Sequence, residues 1–329
     1  IFTRDEDNPL KAHAVIVDET SMVDLPLLAS LLRALPTGCR LILVGDPDQL
    51  PPVGPGCPLS DILRSGVVPA VRLTEIFRQA QESLIVMNAH RVNSGVMPDL
   101  KTVTSDFFFL RRRTEEAVAS TIGDLCRTRL PDRMGIPPEE IQVLSPTRKG
   151  PTGTASLNLL LQAQLNPPAP DKKEKKWGDF SFREGDRVMQ IRNNYDILWK
   201  KTDGTQVGTG IFNGDIGVIT EIDLNAELLT VVFDDRHAEY DFDMLRELEL
   251  AYAMTVHKSQ GSEYQAVVLA AWSCAPNLRT RRVLYTAITR ARKLLVVVGR
   301  EDILQTMTEN QRQSRRYSGL KLRLQEKEQ

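Results

Sequence analysis

Two short apolar runs, each ending abruptly in acids and amides, most constrain the fold of this chain. The runs are residues 14–17 and 41–44. Continuous apolar segments of this length predict strands that are buried in a parallel sheet. The polar residues that follow the two runs are Asp18, Glu19, Asp46 and Gln49. Because α/β sheets bind ligands beyond the carboxyl ends of their strands, we expect these four side chains on one sheet edge.

An adjacent carboxylate pair at such an edge is suited to phosphoryl transfer. Asp18 would hold a Mg²⁺ ion that bridges nucleotide phosphates, and Glu19 would orient and deprotonate the attacking water. Asp46 would hold water near the metal, while the Gln49 amide would donate to a γ-phosphate and report its loss. The alternative is that the acidic pair only starts a loop or caps the following helix, since acids favour helix starts.

A glycine-rich phosphate cradle with a lysine, G-x-x-x-x-G-K-[ST], would be expected upstream of such a pair. The 329 residues do not contain this motif. The glycine-rich segments 150–154 and 208–210 lack the lysine and the hydroxyl residue that should follow it. Because the chain opens shortly before the acidic pair, we expect a phosphate-binding segment outside this sequence. We also expect these residues alone to hydrolyse nucleotide poorly or not at all.

The composition predicts a soluble globular protein with two or three domains. Of the 329 residues, 41% are hydrophobic and 26% are charged. No apolar run approaches the roughly 20 residues needed to span a bilayer, and no targeting segment opens the chain. The four cysteines lack C-x-x-C spacing, which predicts reduced thiols in a cytoplasmic protein. Because the net charge is −1, nucleic-acid binding would have to come from local basic patches.

Five segments, in this order, resemble motifs II to VI of the superfamily 1 helicases, and their wording is closest to the RecD-like branch. The segments are DETS at 18–21, GDPDQLPPV at 45–53, LTEIFRQ at 73–79, TVHKSQGSE at 255–263 and YTAITRA at 285–291. Motifs I and Ia are missing. The resemblance implies an α/β fold with RecA-like P-loop NTPase motor domains, the first of them partial, and ATP and Mg²⁺ as cofactors.

Carried over residue by residue, the resemblance makes Arg78 and Arg290 arginine fingers. Such residues bring positive charge to the γ-phosphate in the transition state, an effect of about 10³ to 10⁵ in rate. Gly261 and Glu263 match a nucleotide-binding turn whose acid holds the ribose. The alternatives are that both arginines lie on helix surfaces and that Glu263 is a solvated residue at a strand entrance.

The same resemblance implies contacts to nucleic acid. Thr255, His257 and Ser259 match residues that touch the DNA backbone or link the DNA site to the ATP site. A strand at residues 141–147 is expected to end in a loop that faces the bound DNA, so that Thr147 and Arg148 would touch phosphate. The ordinary alternatives are a hydrogen-bonded surface histidine and a basic, solvated turn.

The hydrophobic pattern predicts four segments along the chain. Residues 1–70 would complete the first motor domain, 71–180 and 246–329 would form the second, and 181–245 would be an inserted domain. Within the insertion the apolar period changes to two, which predicts an antiparallel barrel of about 65 residues. This barrel resembles the SH3-like insertion of the RecD-like branch. Residues 166–176, which are rich in proline and charge, are expected to form an exposed linker.

The insertion would line the DNA channel, act as a wedge near the duplex junction, or serve a purely structural role. Tyr195, Trp199 and Phe212 suit a barrel core as well as a stacking surface for bases. In addition, apolar residues at helical spacing predict a helix over 114–130. A further helix-like stretch covers 283–292, between apolar strands at 266–271 and 294–299.

Together these features predict an ATP-dependent DNA helicase that moves along single-stranded DNA and acts in DNA repair or recombination. The resemblance implies 5′ to 3′ movement, which the residues themselves do not show. Single-stranded DNA and its junctions with duplex would be the partners, with other subunits of a nuclease-helicase complex left open and no membrane contact expected. The alternatives are a related motor that acts on RNA or in a conjugative relaxase, and a scaffold subunit that does not hydrolyse nucleotide.

Overall fold

A computed structural model describes residues 2–74, 82–102, 106–311 and 318–326. Contacts divide the chain into two compact units. Unit 1 comprises Ile1–Asp99, Arg279–Thr289 and Gln305–Gln329, and unit 2 comprises Leu100–Leu278 and Arg290–Leu304. The domain boundaries that we inferred from the sequence remain a proposal.

The strands follow the apolar segments of the sequence. In chain order they are β1 Ala14–Val17, β2 Arg40–Leu43, β3 Phe107–Arg111, β4 Ile141–Ser145, β5 Glu174–Trp177, β6 Phe180–Arg183, β7 Arg187–Gln190, β8 Asn194–Lys201, β9 Val207–Ile211, β10 Ile216–Asp223, β11 Leu228–Phe233, β12 Arg236–Asp241, β13 Leu248–Leu250, β14 Ala253–Thr255, β15 Tyr264–Ala271 and β16 Ala291–Gly299.

Some of the helices begin at side chains that cap them. In chain order the helices are α1 Leu25–Ala34, α2 Pro58–Ser65, α3 Leu84–Asn93, α4 Glu115–Asp124, α5 Leu130–Met134, α6 Thr154–Leu165, α7 Arg281–Ile288, α8 Glu301–Glu309 and α9 Leu320–Glu326. For example, the Thr114 hydroxyl accepts from Ala117 N at the start of α4, which satisfies one of the free amides of a first turn. A π-helical segment, Leu125–Arg129, joins α4 to α5, so the helix expected over 114–130 is confirmed.

Unit 1 contains a two-stranded parallel sheet in which Val17 of β1 lies opposite Leu43 of β2. This pairing confirms the parallel arrangement expected from the sequence. The expected burial is wrong, because Ile16 is 67% exposed and Ile42 is 48% exposed. Among the described residues this sheet has two strands, and along each of them exposed residues alternate with partly buried ones.

Unit 2 is built on a five-stranded parallel sheet in the order β14-β4-β15-β16-β3. From Ala266 to Ala271, strand β15 is almost completely buried, as expected for a central strand with both faces covered. The apolar strands expected at 266–271 and 294–299 are therefore confirmed. The helix expected over 283–292 is too long, because α7 ends at Ile288 and β16 has begun by Ala291.

Unit 2 also contains a seven-stranded antiparallel sheet in the order β13-β7-β10-β11-β12-β8-β9 and the β5-β6 hairpin. This sheet contains the strands expected for the SH3-like insertion. Two of its aromatic residues are not core residues, since Tyr195 is 65% exposed and Phe212 is 41% exposed. Their rings pack edge to face with centroids 5.6 Å apart. Trp199 is half-buried beneath the guanidinium of Arg236.

The exposed linker expected at 166–176 is confirmed for residues 167–173, which lie outside helices and strands and are mostly exposed, and is wrong at both ends. Asn166 is 4% exposed, and β5 pairs with β6 in place of a solvated turn. The reason is the buried carboxylate of Asp186, which accepts hydrogen bonds from Asn166 Nδ2 at 2.8 Å and from Gln162 Nε2 at 2.6 Å. It also accepts from the Tyr252 hydroxyl at 2.9 Å and from the backbone N of Arg183 at 2.7 Å.

Asp186 therefore joins α6, the β5-β6 hairpin and the segment before β14. Burial raises the pKa of this carboxyl, while the hydrogen bonds from Asn166, Arg183, Gln162 and Tyr252 oppose the shift. A buried carboxylate with all of these donors stabilises the fold only while every partner is present.

We predict that Asp186→Ala lowers the free energy of unfolding by about 3 kcal/mol or more, because four buried donors lose their acceptor. Tyr252→Phe removes a single donor and should cost about 1 kcal/mol. Urea unfolding followed by tryptophan fluorescence measures both. The matched control is Asp179→Ala at an exposed position in the β5-β6 turn, which should change stability by less than about 0.5 kcal/mol. A loss at Asp186 no larger than at Asp179 would contradict this role.

Candidate functional site

In unit 1 the loops after β1 and β2 lie side by side. The backbone N of Val44 donates to Val17 O at 2.8 Å, and the N of Thr20 donates to Val44 O at 2.9 Å. A Cβ on Gly45 would lie 3.0 Å from the backbone nitrogens of both Thr20 and Ser21. A side chain at residue 45 would therefore press the loops apart, so glycine allows the close approach. Asp18, Glu19, Asp46 and Gln49 all follow these two strands at the same edge of the sheet.

The first of these loops holds Glu19 in a left-handed conformation, with φ 49° and ψ 38°. Such a backbone is strained for a residue with a side chain. Asp18 Oδ1 accepts from the backbone N of Glu19 at 2.8 Å. Glu19 precedes the 3-10 helix Thr20–Met22 but makes no side-chain capping hydrogen bond. The helix-cap alternative is therefore wrong for Glu19, whose carboxylate is not used in this way.

The second loop is held by α7 and α3. The Tyr285 hydroxyl donates to Asp46 Oδ2 at 2.7 Å, and the backbone N of Leu50 donates to Thr286 Oγ1 at 3.0 Å. Asn93 Nδ2 donates to Asp48 Oδ2 at 3.0 Å. These hydrogen bonds fix the loop on both sides of Gln49.

Gln49 itself is 9% exposed. Its amide oxygen is buried and accepts no hydrogen bond from the part of the chain that the structure describes. The hydroxyl oxygen of Ser21 is also buried and has no hydrogen-bond partner among the described residues. Buried polar atoms normally have partners. The Gln49 oxygen would need a donor such as a water molecule, while the Ser21 hydroxyl could donate to a bound anion.

The sequence patterns did not indicate a functional role for three residues that hold this loop, Tyr285, Thr286 and Asn93. Tyr285 and Thr286 lie inside the YTAITRA segment, but their pairing with the loop after β2 spans more than 230 residues. Arg282 adds a cation on the same helix. Burial lowers the pKa of its guanidinium, while Cys57, Asp48 and Asp46 act in the opposite direction.

Arg290 belongs to unit 2 and lies in the turn between α7 and β16. It is 3% exposed, and its Nη1 donates to Ser262 O at 3.1 Å. The backbone O of Arg290 accepts from Tyr264 N at 2.8 Å. The surface-helix alternative is therefore wrong for Arg290. Arg78 lies outside the described residues.

The turn after β14 carries the other residues of the TVHKSQGSE segment. Ser259 is fully buried, and its hydroxyl donates to Val256 O at 2.9 Å. This side chain therefore shapes the turn. Of the two roles expected for Ser259, its burial argues against direct contact with a DNA backbone and leaves the role of linking the DNA site to the ATP site. His257 is half-buried, and burial lowers its pKa. At neutral pH the imidazole is therefore uncharged and would bind a partner by hydrogen bonding.

Glu263 and Gly261 follow in the same turn. Glu263 Oε2 accepts from Arg292 Nε at 2.8 Å, with the two side chains 50% and 59% exposed. Gly261 is exposed and has φ 76°, a conformation that favours glycine. Both residues are accessible to a ligand, although Glu263 would have to share or exchange its arginine partner.

Thr147 and Arg148 follow β4, which pairs in parallel with β14. Thr147 is half-buried and Arg148 is exposed, and Thr255 is half-buried at the end of β14. All five residues expected to contact nucleic acid therefore lie beyond or at the carboxyl ends of these two neighbouring strands, and four of them are not fully buried. The four are Thr147, Arg148, Thr255 and His257.

Within the described ranges there is no group of three or more His, Cys, Asp or Glu side chains placed to hold a metal ion. Asp18 could supply one carboxylate to a Mg²⁺ ion, which usually takes one or two carboxylates together with water and substrate phosphates. No helix in the described part of the chain is both long enough and apolar enough to cross a membrane.

Three family models match the chain. Residues 4–106 match an AAA domain, residues 157–233 match the ATP-dependent RecD-like DNA helicase SH3 domain, and residues 250–298 match the UvrD-like helicase C-terminal domain. The last of these covers the turn after β14, α7 and most of β16. The middle match confirms the SH3-like character of the antiparallel insertion.

Two curated relatives match almost the whole chain. The ATP-dependent RecD2 DNA helicase of Deinococcus radiodurans is 34% identical over 314 residues, which cover 95% of this chain and 40% of the relative. The RecBCD enzyme subunit RecD of Mycobacterium tuberculosis is 30% identical over 350 residues, covering 98% of this chain and 55% of the relative. The chain thus spans about half the length of these relatives.

Solved structures share the fold. The Pif1 helicase from Candida albicans superposes with a TM-score of 0.51 and 18% identity, covering 89% of this chain and 73% of that chain. The Pif1 helicase from Bacteroides, in complex with ADP-AlF3 and ssDNA, gives a TM-score of 0.50 and 20% identity, covering 90% and 72%.

The five-stranded parallel sheet fits a RecA-like core, and the family models add an SH3-like insertion and a helicase C-terminal domain, a combination that belongs to the superfamily 1 helicases. Within that class, the RecD-like SH3 model and both curated relatives indicate one branch. The chain belongs to the RecD-like helicase family.

We predict that Glu19→Gly gives a more stable protein than Glu19→Ala by about 1 kcal/mol, because glycine adopts the left-handed backbone without strain. The measurement is urea unfolding followed by circular dichroism. The same pair of substitutions at Glu116, an exposed position in α4, is the matched control. There, alanine should be the more stable by about 1 kcal/mol. Equal stability of the two Glu19 variants would contradict the strain.

We predict that Tyr285→Phe destabilises the loop after β2 by about 1–2 kcal/mol, since Asp46 loses a hydrogen bond to its carboxylate. Hydrogen exchange of the amides of residues 48–50 should become faster. Tyr195→Phe, at a 65% exposed position, removes the same atom and should leave this exchange unchanged. Unaltered exchange in Tyr285→Phe would show that the loop does not depend on this contact.

Proposed function

We propose that this chain forms part of an ATP-dependent DNA helicase that translocates on single-stranded DNA. The observation that carries the proposal is the meeting of two polar loops at one sheet edge in unit 1. Asp18 and Glu19 follow β1, and Asp46 and Gln49 follow the adjacent β2. Phosphoryl transfer requires a metal anchor, a base and a γ-phosphate contact, and these four residue types can supply them.

The roles of the residues follow from their chemistry. ATP with Mg²⁺, when bound, supplies the phosphoanhydride bond that is hydrolysed. Asp18 would hold the metal, Glu19 would take a proton from the attacking water, and Asp46 would hold water near the metal. Gln49 contacts the γ-phosphate from a position that Tyr285 and Thr286 hold through the loop.

Further residues would complete the nucleotide site. Arg290 and Arg78 would stabilise charge that develops on the γ-phosphate. Gly261 and Glu263 would take part in nucleotide binding, with the Glu263 carboxylate on the ribose. Arg290 is buried, so its positive charge is screened less than that of a solvated arginine.

Nucleic acid would bind to unit 2, beyond the carboxyl ends of β4 and β14. Thr147, Arg148 and Thr255 would contact phosphate, and neutral His257 would add a hydrogen bond. Contacts of this kind position a strand without reading its sequence. Ser259 would act indirectly, by shaping the turn that carries His257.

The names of the relatives support the biological setting. One is an ATP-dependent RecD2 DNA helicase, and the other is a subunit of the RecBCD enzyme. We propose movement in the 5′ to 3′ direction, a role in DNA repair or recombination, and a cytoplasmic location. Partners would be single-stranded DNA, its junctions with duplex, and other subunits if the motor belongs to a nuclease-helicase complex.

These 329 residues contain no G-x-x-x-x-G-K-[ST] motif. Without such a loop the β- and γ-phosphates lose their backbone cradle and its lysine. We therefore propose that these 329 residues hydrolyse ATP poorly or not at all on their own, and that hydrolysis requires a phosphate-binding loop from outside them.

The test is ATP hydrolysis by the complete gene product, with and without single-stranded DNA. We expect DNA to stimulate the rate, and Glu19→Gln to lower kcat by about 10² to 10⁴, because the base that accepts the proton is lost. Glu6→Gln removes the same charge from an exposed side chain and should leave kcat unchanged. The isolated 329-residue chain should be inactive.

Other outcomes would favour the alternative functions. Stimulation by RNA in place of DNA would indicate an RNA motor. Hydrolysis that is absent from the complete protein and insensitive to Glu19→Gln would favour a scaffold subunit. Duplexes with a single-stranded tail at either end would then test the proposed direction and whether a relaxase-type substrate is preferred.

A further inference from the structure

Three charged side chains from separate elements of unit 2 meet at one point. Glu249 of β13 accepts a hydrogen bond from Arg148 Nη2 at 3.0 Å on one carboxylate oxygen. Its other oxygen accepts from Lys258 Nζ at 2.7 Å. Arg148 lies in the loop after β4, and Lys258 lies in the turn after β14. A single carboxylate thus holds two cations.

The backbone places these two cations next to each other without help from Glu249. Strands β14 and β4 are parallel neighbours, with Thr255 opposite Ser145. The backbone N of Val256 donates to Ser145 O at 3.2 Å, and the N of Lys258 donates to Thr255 O at 2.9 Å. The loop with Arg148 and the turn with Lys258 therefore start from one hydrogen-bonded pair of strand ends.

Glu249 belongs to a different sheet from the two cations. It lies on β13, whose pairing places it opposite Met189 of β7 in the antiparallel sheet. The carboxylate is therefore supplied to the two cations by the sheet that contains the SH3-like insertion. Its position is fixed by that sheet, so Glu249 acts as a built-in anion at a site formed by the parallel sheet.

All three side chains are accessible to solvent. The Arg148 side chain is 66% exposed, and those of Lys258 and Glu249 are each 30% exposed. Ion pairs at this degree of exposure contribute little to stability, so an anion from solution can exchange with the carboxylate at small cost. A phosphodiester carries one negative charge on two non-bridging oxygens, as a carboxylate does. It can therefore accept from both cations in the same way.

We propose that Arg148 and Lys258 form one binding site for a phosphodiester of single-stranded nucleic acid, which the Glu249 carboxylate occupies until the strand binds. The inference rests on the proposed function, since it assumes that a strand crosses this part of unit 2. It adds Lys258 to the contacts. It also assigns Glu249 the role of an internal competitor that weakens binding and sets its salt dependence.

The experiment measures binding of a fluorescein-labelled oligothymidine by fluorescence anisotropy at several salt concentrations. Glu249→Gln should bind about three- to tenfold more tightly than the parent at low salt, because both cations become available. The gain should shrink as salt is added. Glu249→Ala should show the same gain, since it also removes the carboxylate.

Glu239→Gln is the matched control, because Glu239 is an exposed acid on β12 and its loss changes the net charge equally. It should alter the affinity by less than about twofold. The double variant Arg148→Gln, Lys258→Gln should bind more weakly than the parent. Its salt slope should be smaller by about 0.7, as expected for one fewer phosphate neutralised on a single strand. In that background Glu249→Gln should give no gain.

The outcomes separate the inference from the proposed function. Equal gains for Glu249→Gln and Glu239→Gln would indicate a general charge effect and overturn the inference. Binding by the parent without a gain in either Glu249 variant would overturn the inference alone. No binding by the parent or by any variant would overturn the inference together with the proposed nucleic-acid binding. Melting temperatures within about 3 °C of the parent confirm that each variant is folded.

Discussion

Parallel pairing of neighbouring strands is the constraint on which both candidate sites depend. Parallel neighbours end at the same sheet edge, so residues that follow them are brought together from distant parts of the sequence. In unit 1 the β1–β2 pair aligns the loops of Glu19 and Gln49. In unit 2 the β4–β14 pair aligns the loop of Arg148 with the turn of Lys258. The chemistry of each site is therefore a consequence of strand order and direction.

Much of this architecture could be predicted, because it follows from local patterns of apolar and polar residues. Apolar runs marked β1, β15 and β16, and alternation marked the antiparallel insertion. Boundaries were less certain where one element feeds directly into the next. The helix α7 ends at Ile288, and in the turn that follows Arg290 is buried and donates to Ser262 O. No local signal separates a buried arginine from a solvated one at the end of a helix.

The features that could not be predicted depend on partners far away in the sequence. Asn166 lies in a segment whose composition is typical of a linker, yet Asp186 draws it into the interior through a hydrogen bond across 20 residues. Ile16 has the sequence of a buried strand residue, but its exposure depends on which layers cover the sheet. The left-handed backbone of Glu19 is likewise set by the neighbouring strand, because Thr20 must reach Val44. These contacts cannot be inferred from composition or periodicity.

The two sites hold their functional groups by opposite means, and the difference follows from their burial. Two features destabilise the fold at the edge of unit 1. The backbone of Glu19 is strained, and the amide oxygen of Gln49 has no partner among the described residues. Such costs favour any ligand that relieves them. At the edge of unit 2 the exposed cations are already paired, so a ligand gains only the difference between its own phosphate and a carboxylate. With a net charge of −1, the chain exerts no strong overall attraction on a polyanion. On the proposed function, its affinity for a strand would be decided by local exchanges such as the one proposed at Glu249, and contacts of this kind would be weak and reversible.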